Sequence, residues 1–216
     1  MLLPILFVGY FYYKWLGDIK EVPYATLRMV SQLLLIGYLL EFLFKNDSPI
    51  LGIFIIFFMT AVSSVIALRS CKEKHFKRYM HLFGSIAIGG TINLFIILTA
   101  VLQTDSLYTP KLMIPLAGMI YANAMNAVAI AAERFDSEIH EGYIQARIAA
   151  FKAAMIPQIN TLLAVGLVSL PGMMTGQILS GVSPLIAARY QIVIMAMVLG
   201  SAGISTVLFL LWERKD

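Results

Sequence analysis

The side chains in this sequence most suited to chemistry are amides and thioethers set inside apolar runs. Asn123 and Asn126 lie one helical step apart, on the same face as Met119, with Met125 beside them. Gln158 and Asn160 open a later apolar stretch, and Met173, Met174 and Gln177 follow the Pro171-Gly172 pair inside it. Amide oxygens suit hard cations and thioethers suit soft ones, so the mixture is compatible with passage of a metal ion without choosing one. Polar groups at membrane depth need a partner or water. Interhelical hydrogen bonding and the lining of a pathway both meet that need, and methionine also fills irregular packing gaps. Enzyme chemistry is poorly supplied. The three histidines stand at or outside the edges of the apolar runs, and no Ser-His pair or carboxylate pair faces the interior of one. No residue is assigned as catalytic. No metal set is assigned either, because His75 and His81 stand six residues apart among lysines that repel a cation.

Positioning these groups is the work of a membrane-embedded chain. The 216 residues are 60% hydrophobic and 13% charged, with a mean hydropathy of +0.83. A soluble domain carries about 25% charge, so composition predicts an all-α integral membrane protein, multi-pass in a bilayer. Apolar segments and short connectors use nearly all the length, which predicts one polytopic domain over 1–216. The formal net charge of +4 fits topology better than nucleic-acid binding. One cysteine, Cys71, excludes a disulfide framework. The N-terminus lacks a basic n-region and a small-residue cleavage site, so it reads as a retained membrane segment.

Seven transmembrane helices are expected, over Leu2 to Leu16, Thr26 to Phe44, Ile50 to Leu68, Tyr79 to Leu102, Leu112 to Ala132, Ile156 to about Ser180, and Ala188 to Trp212. The sixth is irregular. From Gln158 to Leu170 it offers only about 20 Å of helix, against a hydrocarbon core of about 30 Å. To span, it must continue through Pro171, which lacks a backbone donor and clashes with the preceding turn. A broken helix at Pro171-Gly172 is therefore predicted, with Gly176 adding flexibility just beyond. Such breaks occur at transport sites, and they also occur as packing kinks.

Charge supplies an orientation. With the N-terminus outside and the C-terminus inside, thirteen of the sixteen basic residues face the cytoplasm. Lys45, Lys111 and Arg189 remain outside with Asp47 and Asp105, the asymmetry that the positive-inside rule requires. The third connector, RSCKEKHFKRYMH, reads as a positive loop against anionic headgroups. Small-residue pairs such as Gly118-xxx-Ala122 and Ala196-xxx-Gly200 allow helices to pack closely. The fifth connector, Ala132 to Met155, is charged and partly helical in pattern, so it either lies on the membrane surface or engages a cytoplasmic partner.

Two stretches carry a family resemblance. MIPLAGMIYANAMNAVAIA and GLVSLPGMMTGQILSGVSPLIAARYQI resemble the signature segments of FetB-like permeases, and RMVSQLLLIGYLLEFLF, with Arg28, Gln32, Gly37 and Tyr38, resembles that family's second span. FetB-like proteins are membrane subunits of an iron-export ABC transporter, with plant relatives linked to aluminium tolerance. The resemblance covers essentially the whole chain. It implies a permease in a bacterial inner membrane that exports a metal ion, paired with a second permease copy and with ATPase subunits that use the ATP. The sequence contains no G-x-x-x-x-G-K-[ST] loop, so energy would come from a separate subunit. The resemblance also assigns ATPase docking to the fifth connector, with Glu138, Glu141, Tyr143 and Arg147 as its coupling residues. Here that connector lacks roughly a dozen or more residues of the family pattern, including its Leu-Gly-Ala-Thr/Ser-like turn.

The expectation is thus a transport permease, with no cofactor bound by this chain and a pathway lined by Asn123, Met125, Asn126, Gln158, Asn160, Met173 and Met174. Pro171, Gly172 and Gly176 would form its hinge. A non-transporting assembly or regulatory subunit of the membrane is the competing reading.

Overall fold

The computed structural model describes residues 2–45, 48–101 and 109–213. Asp47, Leu102, Asp105, Arg214 and Lys215, which entered the span and charge assignments above, lie outside the described residues. The chain divides into two compact units, Met1–Asp47 and Ser48–Asp216.

The first unit is a helical hairpin of α1 (Leu2–Leu16) and α2 (Glu21–Phe44). Gly17 ends α1 with φ of 77°, a left-handed conformation that a Cβ would strain. Asp18 Oδ1 then accepts hydrogen bonds from the backbone N–H groups of Lys20 and Glu21 at 2.7 and 3.2 Å, satisfying donors that the start of α2 leaves open. The Tyr12 hydroxyl closes the hairpin by donating to Glu21 Oε2 at 2.5 Å. Arg28 is half-buried and Gln32 exposed along α2.

The second unit is a helix bundle. It comprises α3 (Pro49–Leu68), α4 (Phe76–Ile96) with a π turn at Ile97–Val101, and α5 (Pro110–Glu138) with a 3-10 turn at Ile139–Glu141. α6 (Tyr143–Ala164), α7 (Gly172–Leu179) and α8 (Pro184–Trp212) complete it. Among the described residues, four helices are long and apolar enough to cross a membrane: Pro49–Leu68, Phe76–Ala100, Pro110–Glu141 and Pro184–Trp212.

α5 is the hub and packs against α3, α4, α6 and α8. Its buried face is built largely from small residues, with Ala117, Ala124, Ala127, Ala131 and Ala132 fully covered around Ile120 and Tyr121. α4 and α8 run antiparallel with matched notches. Gly84 of α4 faces Trp212, Gly89 faces Ser205, and Gly200 of α8 faces Asn93. Lipid gives no hydrophobic drive between helices, so these close approaches supply the packing that holds the bundle together.

Two expectations are corrected. The sixth segment does not begin at Ile156 or break at Pro171. α6 starts at Tyr143 and stops at Ala164, and the chain leaves the helix over Val165 to Leu170. Gly166 turns there with φ of 84°, and its N–H donates to Ser169 O at 2.9 Å while Val168 N–H donates to Ala164 O at 2.8 Å. Those internal bonds satisfy backbone groups that lipid could not. Pro171 then occupies the N-cap of α7, so it restarts a helix rather than breaking one.

The fifth connector is also not a separate surface element. It is divided among the end of α5, the 3-10 turn with Gly142, and the first half of α6. Ala146, Ala150 and Ala154 are fully buried. They form one small-residue face that lets α6 pack lengthwise against α5 and α8, so the segment joins the bundle.

Candidate functional site

A cleft of about 500 Å³ lies where the end of α3 meets α5 and α6, and its polar lining is Ser70, Asn123, Asn126, Glu133, Gln158 and Thr161. The helical repeat places Asn123, Asn126 and Glu133 together on α5, and Gln158 and Thr161 together on α6. Pro157, inside α6, also lines the cleft. A proline there cannot donate to the preceding turn and leaves local backbone for other partners.

The amides have unequal surroundings. Asn123 donates through Nδ2 to Met119 O at 2.8 Å, which leaves its carbonyl oxygen to accept. Gln158 is 8% exposed, and neither it nor Asn126 has a hydrogen bond from its side chain to another described residue. Thr161 Oγ1 donates to Pro157 O at 2.8 Å and keeps its lone pairs free. Glu133 is exposed and has no ion-pair partner among the described residues. The lining is therefore made of oxygen donors, the chemistry of hard cations.

The other expected pathway residues lie elsewhere. Met125 packs against the core. Asn160 is exposed; two residues from Gln158 is about 200° around a helix, so it points away from the cleft. Met173 is exposed on α7, and Met174 lines a separate apolar cavity of about 510 Å³ with Met195, Gly166 and Gln191. Gln191 is 6% exposed, and its Oε1 has no hydrogen-bond partner among the described residues. The fold thus separates Asn123, Asn126 and Gln158 from Met173 and Met174. In the expected hinge, Gly172 and Gly176 lie within α7, whereas the positive φ angles of this stretch fall at Gly166 and Gly181.

One end of the bundle gathers the basic loop of α3–α4 with the ends of α5 and α8, and holds a buried charge cluster. Arg78, 6% exposed, places Nη2 2.6 Å from Asp136 Oδ1 and Nη1 2.5 Å from Glu213 Oε2. Its guanidinium also lies over the Phe209 ring at 5.3 Å. His81 Nδ1 contacts Glu213 Oε1 at 2.8 Å, and the Lys72 backbone N–H donates to Asp136 Oδ2 at 2.9 Å. His75 accepts from Arg78 N–H at 3.0 Å and so caps α4. Burial pushes the neighbouring Cys71 thiol above its ordinary value, against the opposing pull of the Arg78 guanidinium.

The expected coupling residues fall at this same end, with distinct roles. Tyr143 donates to Leu210 O at 2.8 Å, and its ring stacks edge-on against Phe135 and under the Arg147 guanidinium. Glu138 pairs with Arg134 at 2.5 Å. Tyr143, Arg147 and Glu138 thus pin the α5–α6 turn, and Glu141 is the exposed member.

The sequence reading missed Glu133 and Thr161, although the helical repeat from Asn126 and Gln158, at seven and three residues' distance, carries the signal for them. The Arg78 cluster was not legible, because its members lie 58 and 135 residues apart.

The profile of the family described as "Uncharacterised protein family (UPF0014)" matches residues 1–149 and 139–216. The chain belongs to the UPF0014 family. A UPF0014 membrane protein of Synechocystis is 33% identical over 87% of this chain and 79% of that protein. The "Probable iron export permease protein FetB" of Escherichia coli is 30% identical over 88% and 78%. The "Protein ALUMINUM SENSITIVE 3" of Arabidopsis thaliana is 31% identical over 87% and 73%. The expected kinship with FetB is therefore established, and this UPF0014 chain is a multi-pass membrane protein. No solved structure matches it. The two matched stretches of the UPF0014 profile overlap at 139–149, the tight junction between α5 and α6.

Proposed function

We propose that this chain is the membrane permease of an ABC-type transporter that exports a metal ion, with energy supplied by a separate ATPase subunit. The observation that carries the reading is the α5–α6 cleft, where the side chains of Asn126 and Gln158 have no hydrogen-bond partner among the described residues. Polar groups without partners are expensive in a bilayer and mark solute routes. The relative named as a probable iron export permease agrees with this reading.

In this reading residues 1–216 act as one permease domain of a bacterial inner membrane, with the basic end in the cytoplasm. Glu133 meets the ion near that end, and the oxygens of Asn126, Asn123 and Gln158 replace its water shell in turn. The ATPase docks at the α5–α6 turn, where the exposed Glu141 beside His140 can reach it and Tyr143 passes the movement to α8 through Leu210. No cofactor is bound by this chain itself.

The test uses sealed vesicles holding the full chain and its ATPase, with labelled iron on the side that faces the cytoplasm. ATP-dependent movement of the label that disappears without this chain supports the proposal. Vesicles that hydrolyse ATP yet move no metal overturn it, and favour the assembly-subunit reading.

A further inference from the structure

α6 and α8 meet along a groove of about 370 Å³ that shares no residue with the amide-lined cleft. Arg147, Ile148, Phe151 and Lys152 line it from one face of α6, and Val207, Leu210 and Leu211 from one face of α8. Leu210 is buried, while Ile148, Phe151, Val207 and Leu211 are exposed along the groove. Two cations and five apolar side chains thus line it, without a carboxylate. Neither Arg147 nor Lys152 has an ion-pair partner among the described residues. Two acids at this end of the bundle are committed elsewhere, Glu138 to Arg134 and Glu213 to Arg78 and His81. The Arg147 guanidinium is also held in place. It lies over the Tyr143 ring at 5.5 Å, and the Tyr143 hydroxyl donates to Leu210 O at 2.8 Å.

We propose that this groove binds an anionic phospholipid, with the phosphate on Arg147 and Lys152 and an acyl chain along Ile148, Phe151, Val207 and Leu211. The depth suits a headgroup. The bond from Tyr143 sets the first turn of α6 level with the last turn of α8, which ends at Trp212, a residue type that sits at headgroup level. Arg147 follows about 6 Å along α6 from Tyr143, and Lys152 about 8 Å farther. A lysine stem covers apolar surface while its ammonium returns to the interface, so both cations reach one phosphate. The planar guanidinium grips two phosphate oxygens at once, and the ammonium adds a point charge. Basic pockets between membrane helices suit such headgroups. Charge decides the occupant: a zwitterionic headgroup brings its own cation beside Arg147 and Lys152, and an anionic one neutralises them.

The test is native mass spectrometry of the full chain released from vesicles of equal phosphatidylglycerol and phosphatidylcholine, counting the lipids that stay bound. Wild type should retain phosphatidylglycerol over phosphatidylcholine by about ten-fold or more, and Arg147→Gln with Lys152→Gln should cut that preference to about two-fold or less. Lys152→Gln alone changes an exposed side chain, so it keeps the test decisive should the double variant fail to fold, and it should lower the preference by about five-fold. Lys74→Gln with Lys77→Gln removes the same charge from the exposed α3–α4 loop and should stay within about two-fold of wild type. Val207→Trp keeps both cations, fills the groove and should lose the retained lipid. Equal retention of the two lipids by wild type overturns the proposal, as does an equal loss from the Lys74 and Lys77 pair or full retention by Val207→Trp. Unchanged lipid in Arg147→Gln, with loss of a co-purifying ATPase, gives the face to that subunit and also overturns it. Lipid counts alone decide, so metal flux and this site stand or fall separately.

Discussion

Arg78 at the start of α4 lies 2.5 Å from Glu213 at the residue that closes α8, and the same guanidinium reaches Asp136 on α5. One buried cation thus fastens three helices at one end of the bundle. Removing one partner from a buried pair leaves charge uncompensated, so Arg78→Met is expected to destabilise by about 3–5 kcal/mol. Breaking the exposed Lys45–Glu41 pair, with 71% side-chain exposure on both sides, should cost about 0.5 kcal/mol or less. Thermal unfolding of both variants in detergent checks the contrast, and equal losses would show that the cluster does not hold the bundle.

Gly89 and Gly37 should behave oppositely on substitution. A Cβ on Gly89 would sit 2.8 Å from the Ser205 backbone nitrogen, whereas one on Gly37 meets nothing within 4 Å. Gly89→Ala is expected to lower stability by about 1–3 kcal/mol through overpacking of α4 on α8. Gly37→Ala, in the interior of α2, should raise it by about 0.5–1 kcal/mol. Paired melting curves decide the sign of each.

Cys71 offers a pH signature. Its thiol is pushed above the ordinary value of 9.0 by burial, so the folded state favours the neutral form. The unfolded chain begins to lose this proton near 9.0, and the folded chain loses it higher. The contribution to stability is therefore complete below 9.0 and falls as pH rises through the raised value. Wild type should lose stability faster than Cys71→Ala above pH 9, and the two should run parallel below it. Parallel curves throughout would place the thiol in a wetter site.

The separation of Asn126 and Gln158 from Met173 and Met174 predicts a separation in transport. Asn126→Leu and Gln158→Leu should each lower labelled-metal flux by about ten-fold to a hundred-fold, the equivalent of a lost hydrogen bond to a charged group. Met173→Leu and Met174→Leu conserve volume outside the cleft and should change flux by about two-fold or less. The reverse ranking would move the route to the cavity beside Gln191.

Much of this chain is written locally. Apolar runs long enough to span, prolines and glycines at their ends, and the i, i+3, i+4 repeat predict helices wherever the bilayer requires every backbone group to be satisfied. The same repeat brings Asn123 and Asn126 to one face from sequence alone. Tertiary structure decided what local pattern could not express. The reach of α6 back to Tyr143 depends on Ala146, Ala150 and Ala154 finding α5 and α8, and a row of alanines does not name its partner. The Arg78 cluster closes loops of 58 and 135 residues, and only packing selects those acids among the twelve present. The division of Asn126 and Gln158 from Met173 and Met174 likewise follows from where the chain turns at Gly166. Local physics set which segments are helices, and the packing of small residues set which of their polar groups share a site.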